Sequence, residues 1–210
     1  MARSNTCTCP RPITVTPDSG QGKVYNGQGG ADPTLTYAVS AGTLVNSDTL
    51  AGTLARAAGS NVGTYAINQG TLANGNYDIT FVADNFAITP KALTVTGTTA
   101  TGKVYDATTA ATINVGSLSG FVGTETVTAT ATGTFDSKNA GNRTATASYT
   151  LANGTNGGLA ANYSLASTGG HAATITPKAL TVTGTTAAGK TYDATTAATI
   201  NVGSLSGFVG

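Results

Sequence analysis

Charge is what this chain has least of: only 9% of its residues are Asp, Glu, Lys or Arg, against about a quarter in ordinary soluble domains. The net charge of +1 comes without any cluster of Lys or Arg, so the concentrated basic patch of a nucleic-acid surface is excluded. Tryptophan is missing, and there is one methionine and one histidine. Two cysteines, Cys7 and Cys9, sit in the N-terminal tail, so no disulfide can staple the rest of the chain. A Cys-x-Cys pair also falls short of the four N or S ligands that a structural metal needs, and His171 is far off in sequence. No run approaches the roughly 18 consecutive apolar residues of a membrane span. Residues 1–10 lack the apolar stretch of a secretory signal peptide and read as a disordered tail, with the start of a secreted parent expected further upstream.

What the chain does have is repetition. Residues 92–123 recur as 179–210, a shift of 87 residues, with only Thr101 against Ala188 and Val104 against Thr191 differing. A weaker copy precedes them. Thr14-Val15-Thr16 and Gly22-Lys23-Val24-Tyr25 match Thr94-Val95-Thr96 and Gly102-Lys103-Val104-Tyr105 at a shift of 80. The phrase Ile-Thr-Pro-Lys closes two periods, at Ile88–Lys91 and Ile175–Lys178. Proline there removes a ladder donor and extends the residue before it, which makes a short, stiff junction between β-units. The expected organisation is a tail at 1–10, modules at 11–90 and 91–178, and a truncated third module at 179–210. That last piece is expected not to fold independently, and the chain reads as a fragment of a longer protein. Serial units of this kind are stalks or binding surfaces more often than active sites.

Within each period the pattern is that of strands. Large apolar residues stand two apart in Tyr65-Ala66-Ile67, Tyr77-Asp78-Ile79-Thr80-Phe81 and Phe86-Ala87-Ile88, the spacing that puts them on one face. Turn residues Asn74-Gly75-Asn76 and Asp84-Asn85 fall between them and predict an antiparallel meander. Leu35, Tyr37 and Val39 predict another inward-facing strand. In the second period Val127, Ala129 and Ala131, then Tyr149 and Leu151, Tyr163 and Leu165, and Ala173 and Ile175 alternate in the same way. Threonines fill the outward positions, as suits exposed sheet. Leu50 and Leu54, four apart, leave room for one short helix over 48–58. The fold class expected is all-β: tandem small immunoglobulin-like β-sandwiches, with at most one short helix per module.

Several phrases carry a resemblance. Ala31–Tyr37, Gly42-Thr43-Leu44, Asn61–Ile67 and Asn76–Thr80 are similar to the MBG repeat, a bacterial immunoglobulin-like module. Lys103-Val104-Tyr105-Asp106 and Lys190-Thr191-Tyr192-Asp193, each after Ala-Leu-Thr-Val-Thr-Gly, resemble the related YDG repeat. Ala107 and Ala194 stand where that family has its glycine, so the turn after the tyrosine is expected to differ in backbone angle. The resemblance implies a large secreted surface protein of the filamentous-haemagglutinin-like adhesin type, extracellular at the bacterial surface or outer membrane, and brings no catalytic residue with it.

The chain offers little chemistry of its own. Tyr25, Tyr105 and Tyr192 recur in register, and each reads better as a core tyrosine whose hydroxyl caps a backbone group than as a sugar platform. Asp136, Asn139 and Asn142 have a loose calcium-loop spacing, but with one carboxylate they read as turn formers. Asn142, Asn153 and Asn162 head Asn-x-Ser/Thr triplets, acceptors only where a glycosylation system exists. Lys23, Lys103 and Lys190 are in register, but no asparagine and carboxylate accompany them to form an isopeptide. His171, after Gly169-Gly170, reads as a loop histidine in a turn, so no Ser-His-acid set forms. An enzyme is not expected, nor any cofactor or metal. The leading reading is a stalk or spacer whose partners are neighbouring modules. The second is an adhesive module contacting host or bacterial surface glycans or proteins, with Phe121 and Tyr105 as its candidate contact residues.

Overall fold

The computed structural model describes residues 9–28 and 31–210; the tail expected over 1–10 lies almost wholly outside them. The chain divides into two compact units. One comprises residues up to Leu93 together with Ser119–Thr128 and Leu151–Ser164; the other comprises Thr94–Leu118, Ala129–Thr150 and Leu165–Gly210. These units do not follow the sequence periods, because two segments of the second period pack with the first.

Over residues 11–89, alternating apolar residues build seven strands: β1 (Arg11–Pro17), β2 (Gly22–Val24), β3 (Tyr37–Ala41), β4 (Ala55–Arg56), β5 (Gly63–Asn68), β6 (Tyr77–Phe81) and β7 (Asp84–Thr89). They form two sheets, β3-β1-β6 and β2-β7-β5-β4. Ile13 and Val15 of β1, Tyr77 of β6, Ile67 of β5, and Phe86 and Ile88 of β7 are buried, and each such side chain contributes roughly 1.5–3 kcal/mol relative to leaving it in water.

Two expectations are corrected here. The meander does not form: β5 pairs antiparallel with β7, while β6 crosses to the other sheet and runs parallel to β1, Arg11 opposite Tyr77 and Val15 opposite Phe81. Only Val82 and Ala83 separate β6 from β7. Both strands still bury their alternate residues, which is why periodicity alone did not separate them. Nor is there a helix over 48–58, which is irregular apart from β4. Leu50 and Leu54 are buried nonetheless, carried inward by a loop pinned at Ala51 N–H to Ala73 O and Thr71 N–H to Thr53 O. The helical element among the described residues is a single 3-10 turn, Ala160–Asn162.

The second unit is built around a six-stranded sheet whose order is Lys103–Val104, Thr168–Thr176, Gly141–Asn153, Val127–Phe135, Ala110–Asn114 and Thr99–Thr101. Its core gathers Phe135, Ala145 and Ile175, with Ala100, Tyr105, Ala111, Ile113 and Ala173 packed against them. Along Val127–Phe135, buried or half-buried residues alternate with exposed threonines, as the sequence pattern requires. Residues 179–210 form two short ribbons, Thr181–Thr183 with Ser204–Ser206 and Thr186–Ala187 with Ile200–Asn201. Their apolar side chains remain exposed, Val182, Ile200, Val202 and Phe208 among them. The chain is thus all-β.

Candidate functional site: an aromatic and carboxylate lock

Tyr25 is held in place by its backbone. It follows β2, which runs parallel to β7 in the register Lys23 to Ile88 and Val24 to Thr89, and its N–H donates to Thr89 O at 2.9 Å. β2 can approach this closely because residue 22 is glycine: a Cβ there would run into the carbonyl of Ala87. The ring is buried, 4% exposed. Its hydroxyl does not cap a backbone group as expected. It donates to Glu125 Oε1 at 2.7 Å, one hundred residues away in sequence.

Glu125 accepts a second hydrogen bond on its other oxygen, from the Tyr163 hydroxyl at 2.8 Å. That hydroxyl in turn accepts from Val122 N–H at 3.1 Å, and Glu125 N–H closes the turn onto Val122 O at 3.0 Å. The rings of Tyr25 and Tyr163 meet edge to face at 5.6 Å, and Phe121 meets Tyr163 in the same manner at 5.8 Å, a geometry that adds to burial for aromatic pairs. Beside them the side chain of Asn162, 1% exposed, accepts from Val62 N–H at 2.9 Å and donates to Asn61 Oδ1 at 3.0 Å. Gly27, with φ at +72°, leaves room for all this; a Cβ there would stand 2.8 Å from Val122 Cγ1.

The electrostatics follow from the geometry. Burial, and then the hydrogen bond to the neighbouring carboxylate, push the Tyr25 hydroxyl up to about 12. Tyr163 is also raised, chiefly by burial, with the Val122 N–H working against it and Glu125 with it. Both phenols therefore stay protonated as donors, and the carboxylate stays satisfied on both oxygens. The arrangement ties Tyr25 to Glu125 and Tyr163, residues more than ninety positions away in sequence.

A second cluster braces the same unit. Asp32 receives Arg56 Nε at 2.7 Å and Lys23 Nζ at 2.8 Å, and the Arg56 guanidinium lies over the rings of Tyr65 and Phe86 at 4.8 and 5.0 Å. Arg56 pulls the Asp32 carboxyl below its usual range, with Lys23 adding to the effect against the opposing cost of burial. In the second period the corresponding lysine, Lys103, bonds Asp106 at 2.8 Å and Thr108 O at 2.9 Å. Where the resemblance has its glycine, Ala107 has φ at +61° and Ala194 at +60°, left-handed values that glycine adopts more easily.

The residues singled out from sequence fall in different places. Phe121 is half-buried against Tyr163 in the first unit. Tyr105 belongs to the second unit, where its N–H donates to Thr176 O at 2.8 Å and its half-buried ring packs against the Phe135, Ala145 and Ile175 core. Tyr192 is 90% exposed. His171 lies in the strand Thr168–Thr176 rather than in a turn, half-buried, with its Nε2 2.7 Å from Thr168 Oγ1. Asp136 and Asn142 bond Thr144 and Thr174 separately. Asn162, one of the triplet asparagines, is the buried pivot of the lock. Glu125, Asn162 and Tyr163 were not foreseen as partners of Tyr25. The available signal was that Glu125 is the one glutamate of a charge-poor chain.

The strand units that carry this lock recur along the chain, which marks an all-β repeat protein. Residues 13–87 match the MBG domain of the YGX type, and residues 89–170 and 176–210 match the YDG domain. The chain belongs to the MBG and YDG repeat families. Comparison with curated proteins and with solved structures gives no match. No helix among the described residues is long and apolar enough to cross a membrane, which says nothing of a β-barrel.

Proposed function

We propose that the chain is a structural spacer segment of a large secreted bacterial surface adhesin, extracellular at the cell surface, with neighbouring modules as its partners. The observation that carries this reading is the lock: Tyr25 from the first period shares Glu125 with Tyr163 from the second, while Asn61 and Val62 of the first hold Asn162 of the second. These are groups that a serial array needs to make its periods cohere. The reading assigns no cofactor and no catalytic residue.

The adhesive alternative requires an available ring at Phe121. That ring is engaged with Tyr163 instead, which supports the spacer. A glycan-array screen of the whole chain tests the choice. No binding is expected; reproducible binding that Phe121→Ala removes while the circular-dichroism spectrum is kept would replace the spacer with a lectin-like module.

A further inference from the structure

Three tyrosines in register show three degrees of cover. Tyr25 is 4% exposed, Tyr105 is half-buried, and Tyr192 is 90% exposed. Tyr25 and Tyr105 share a local setting: each follows a short strand parallel to the last strand of its period, Lys23 opposite Ile88 and Lys103 opposite Ile175. What differs is what lies over the ring.

At Tyr25 the cover is Glu125, Asn162 and Tyr163. At Tyr105 there is a cleft of about 360 Å³, lined by Tyr105, Asn139, Ala140, Leu180, Phe208 and Val209 among others. Every one of these six has a counterpart in the first unit. Asn139 and Ala140 stand two and one residues before Gly141, which pairs with Ile175; Asn61 and Val62 stand two and one before Gly63, which pairs with Ile88. Leu180, Phe208 and Val209 repeat Leu93, Phe121 and Val122 at the 87-residue shift. The cleft is therefore the lock with its acid, its Asn and its second Tyr absent.

The opposite half also exists within residues 45–77 of the first period, with no second tyrosine on its carboxylate among the described residues. There Val45 N–H donates to the Tyr77 hydroxyl at 2.8 Å, that hydroxyl donates to Asp48 Oδ2 at 3.0 Å, and Asp48 N–H donates to Val45 O at 2.9 Å. These are the contacts of Val122, Tyr163 and Glu125, and Asn76 precedes Tyr77 as Asn162 precedes Tyr163. Asn76 is exposed where Asn162 is buried. The acid, Asn and Tyr set thus forms without a further tyrosine on its carboxylate, and each period carries both a receiving tyrosine and an inserting set.

We infer that the Tyr105 cleft, with the uncovered apolar face of residues 179–210, is a docking site for the later half of another module of this type, one bearing a carboxylate and an adjacent Asn-Tyr pair. The inference rests on the spacer reading. The occupant is fixed by the repeat itself: residues 92–123, all but two of them identical to 179–210, are followed by a segment, 124–178, that supplies this chemistry. In the docked state the carboxylate receives the Tyr105 hydroxyl, and the asparagine side chain bridges the Asn139 side chain and the Ala140 N–H.

The test extends the whole chain at Gly210 with a copy of residues 124–178 and reads tyrosine nitration, peptide by peptide, beside trypsin cleavage after Lys190. Tyr105 and Tyr192 are each expected to move one place along the series, while Tyr25 stays covered. Nitration of Tyr105 and Tyr192 and cleavage after Lys190 should all slow roughly tenfold, as for groups that react only through local opening. With Glu125→Gln and Asn162→Ala placed in the appended copy alone, Tyr105 should regain the rate of the unextended chain while Tyr192 stays protected. If Tyr105 reacts equally fast with and without the extension while Tyr192 is protected, the cleft is no docking site, yet the spacer reading stands. Protection of neither tyrosine overturns the occupant altogether. Glycan binding by the unextended chain would defeat the spacer reading separately.

Discussion

Tyr25 and Tyr163 are buried and both donate to one carboxylate, and burial first, then that acceptor, makes the lock sensitive to base. Tyrosine in an unfolded chain titrates near 10, and Tyr25 in the folded protein near 12. A raised folded value means that its stabilisation is complete below pH 10 and is lost as pH climbs through 12. The difference is on the order of 2–3 kcal/mol. Thermal unfolding followed from pH 8 to 12 should show a falling midpoint above pH 10, and Tyr25→Phe should flatten much of that fall while lowering the midpoint at pH 8. A second residue carries strain rather than a bond. Ala107 sits at φ +61°, a left-handed conformation that costs a residue with a Cβ roughly 1–2 kcal/mol. Ala107→Gly is expected to raise stability in urea by about 0.5–1 kcal/mol after the unfolded-chain entropy of glycine is counted; a loss would show that the turn is not strained.

The strands were largely legible in the sequence, because a side-chain period of two reports burial on one face whatever the partner strand is. Tyr77, Ile79 and Phe81 face inward as their spacing demands, and so do Val127, Ala129 and Ala131. The partner is what the period does not report, and β6 joining β1 rather than β5 was invisible for that reason. Leu50 and Leu54 misled through spacing alone, since a loop held by a few backbone hydrogen bonds buries two leucines as readily as a helical turn does. Tyr25 was visible as a recurrent residue, while its partners were not, because nothing periodic connects it to Glu125 across a hundred positions. The element that presents Tyr25 depends on a missing side chain. Gly22 lets β2 lie against the Ala87 carbonyl, so Gly22→Ala should part β2 from β7 and unseat the tyrosine. A loss of about 2 kcal/mol in urea denaturation is expected, in the range of overpacking elsewhere, with Tyr25 becoming reactive to nitration.

For the molecule as a whole, the sequence counts periods and the structure counts compact units, and the two do not coincide. Ser119–Thr128 and Leu151–Ser164, read in sequence as parts of the second period, pack with the first. The reason lies in the lock, whose inserting residues, Phe121, Glu125, Asn162 and Tyr163, all fall in those two segments. An array stitched in this way resists separation of its periods better than one joined only by a linker at Pro90, and cohesion of that kind is what a spacer requires. Hydrogen exchange read by mass spectrometry across a urea titration tests this most directly. The account predicts that residues 11–93, 119–128 and 151–164 lose protection at one urea concentration, and that Glu125→Ala makes residues 11–93 open ahead of the other two segments. Loss of protection in residues 11–93 ahead of both segments in the unaltered chain would contradict it.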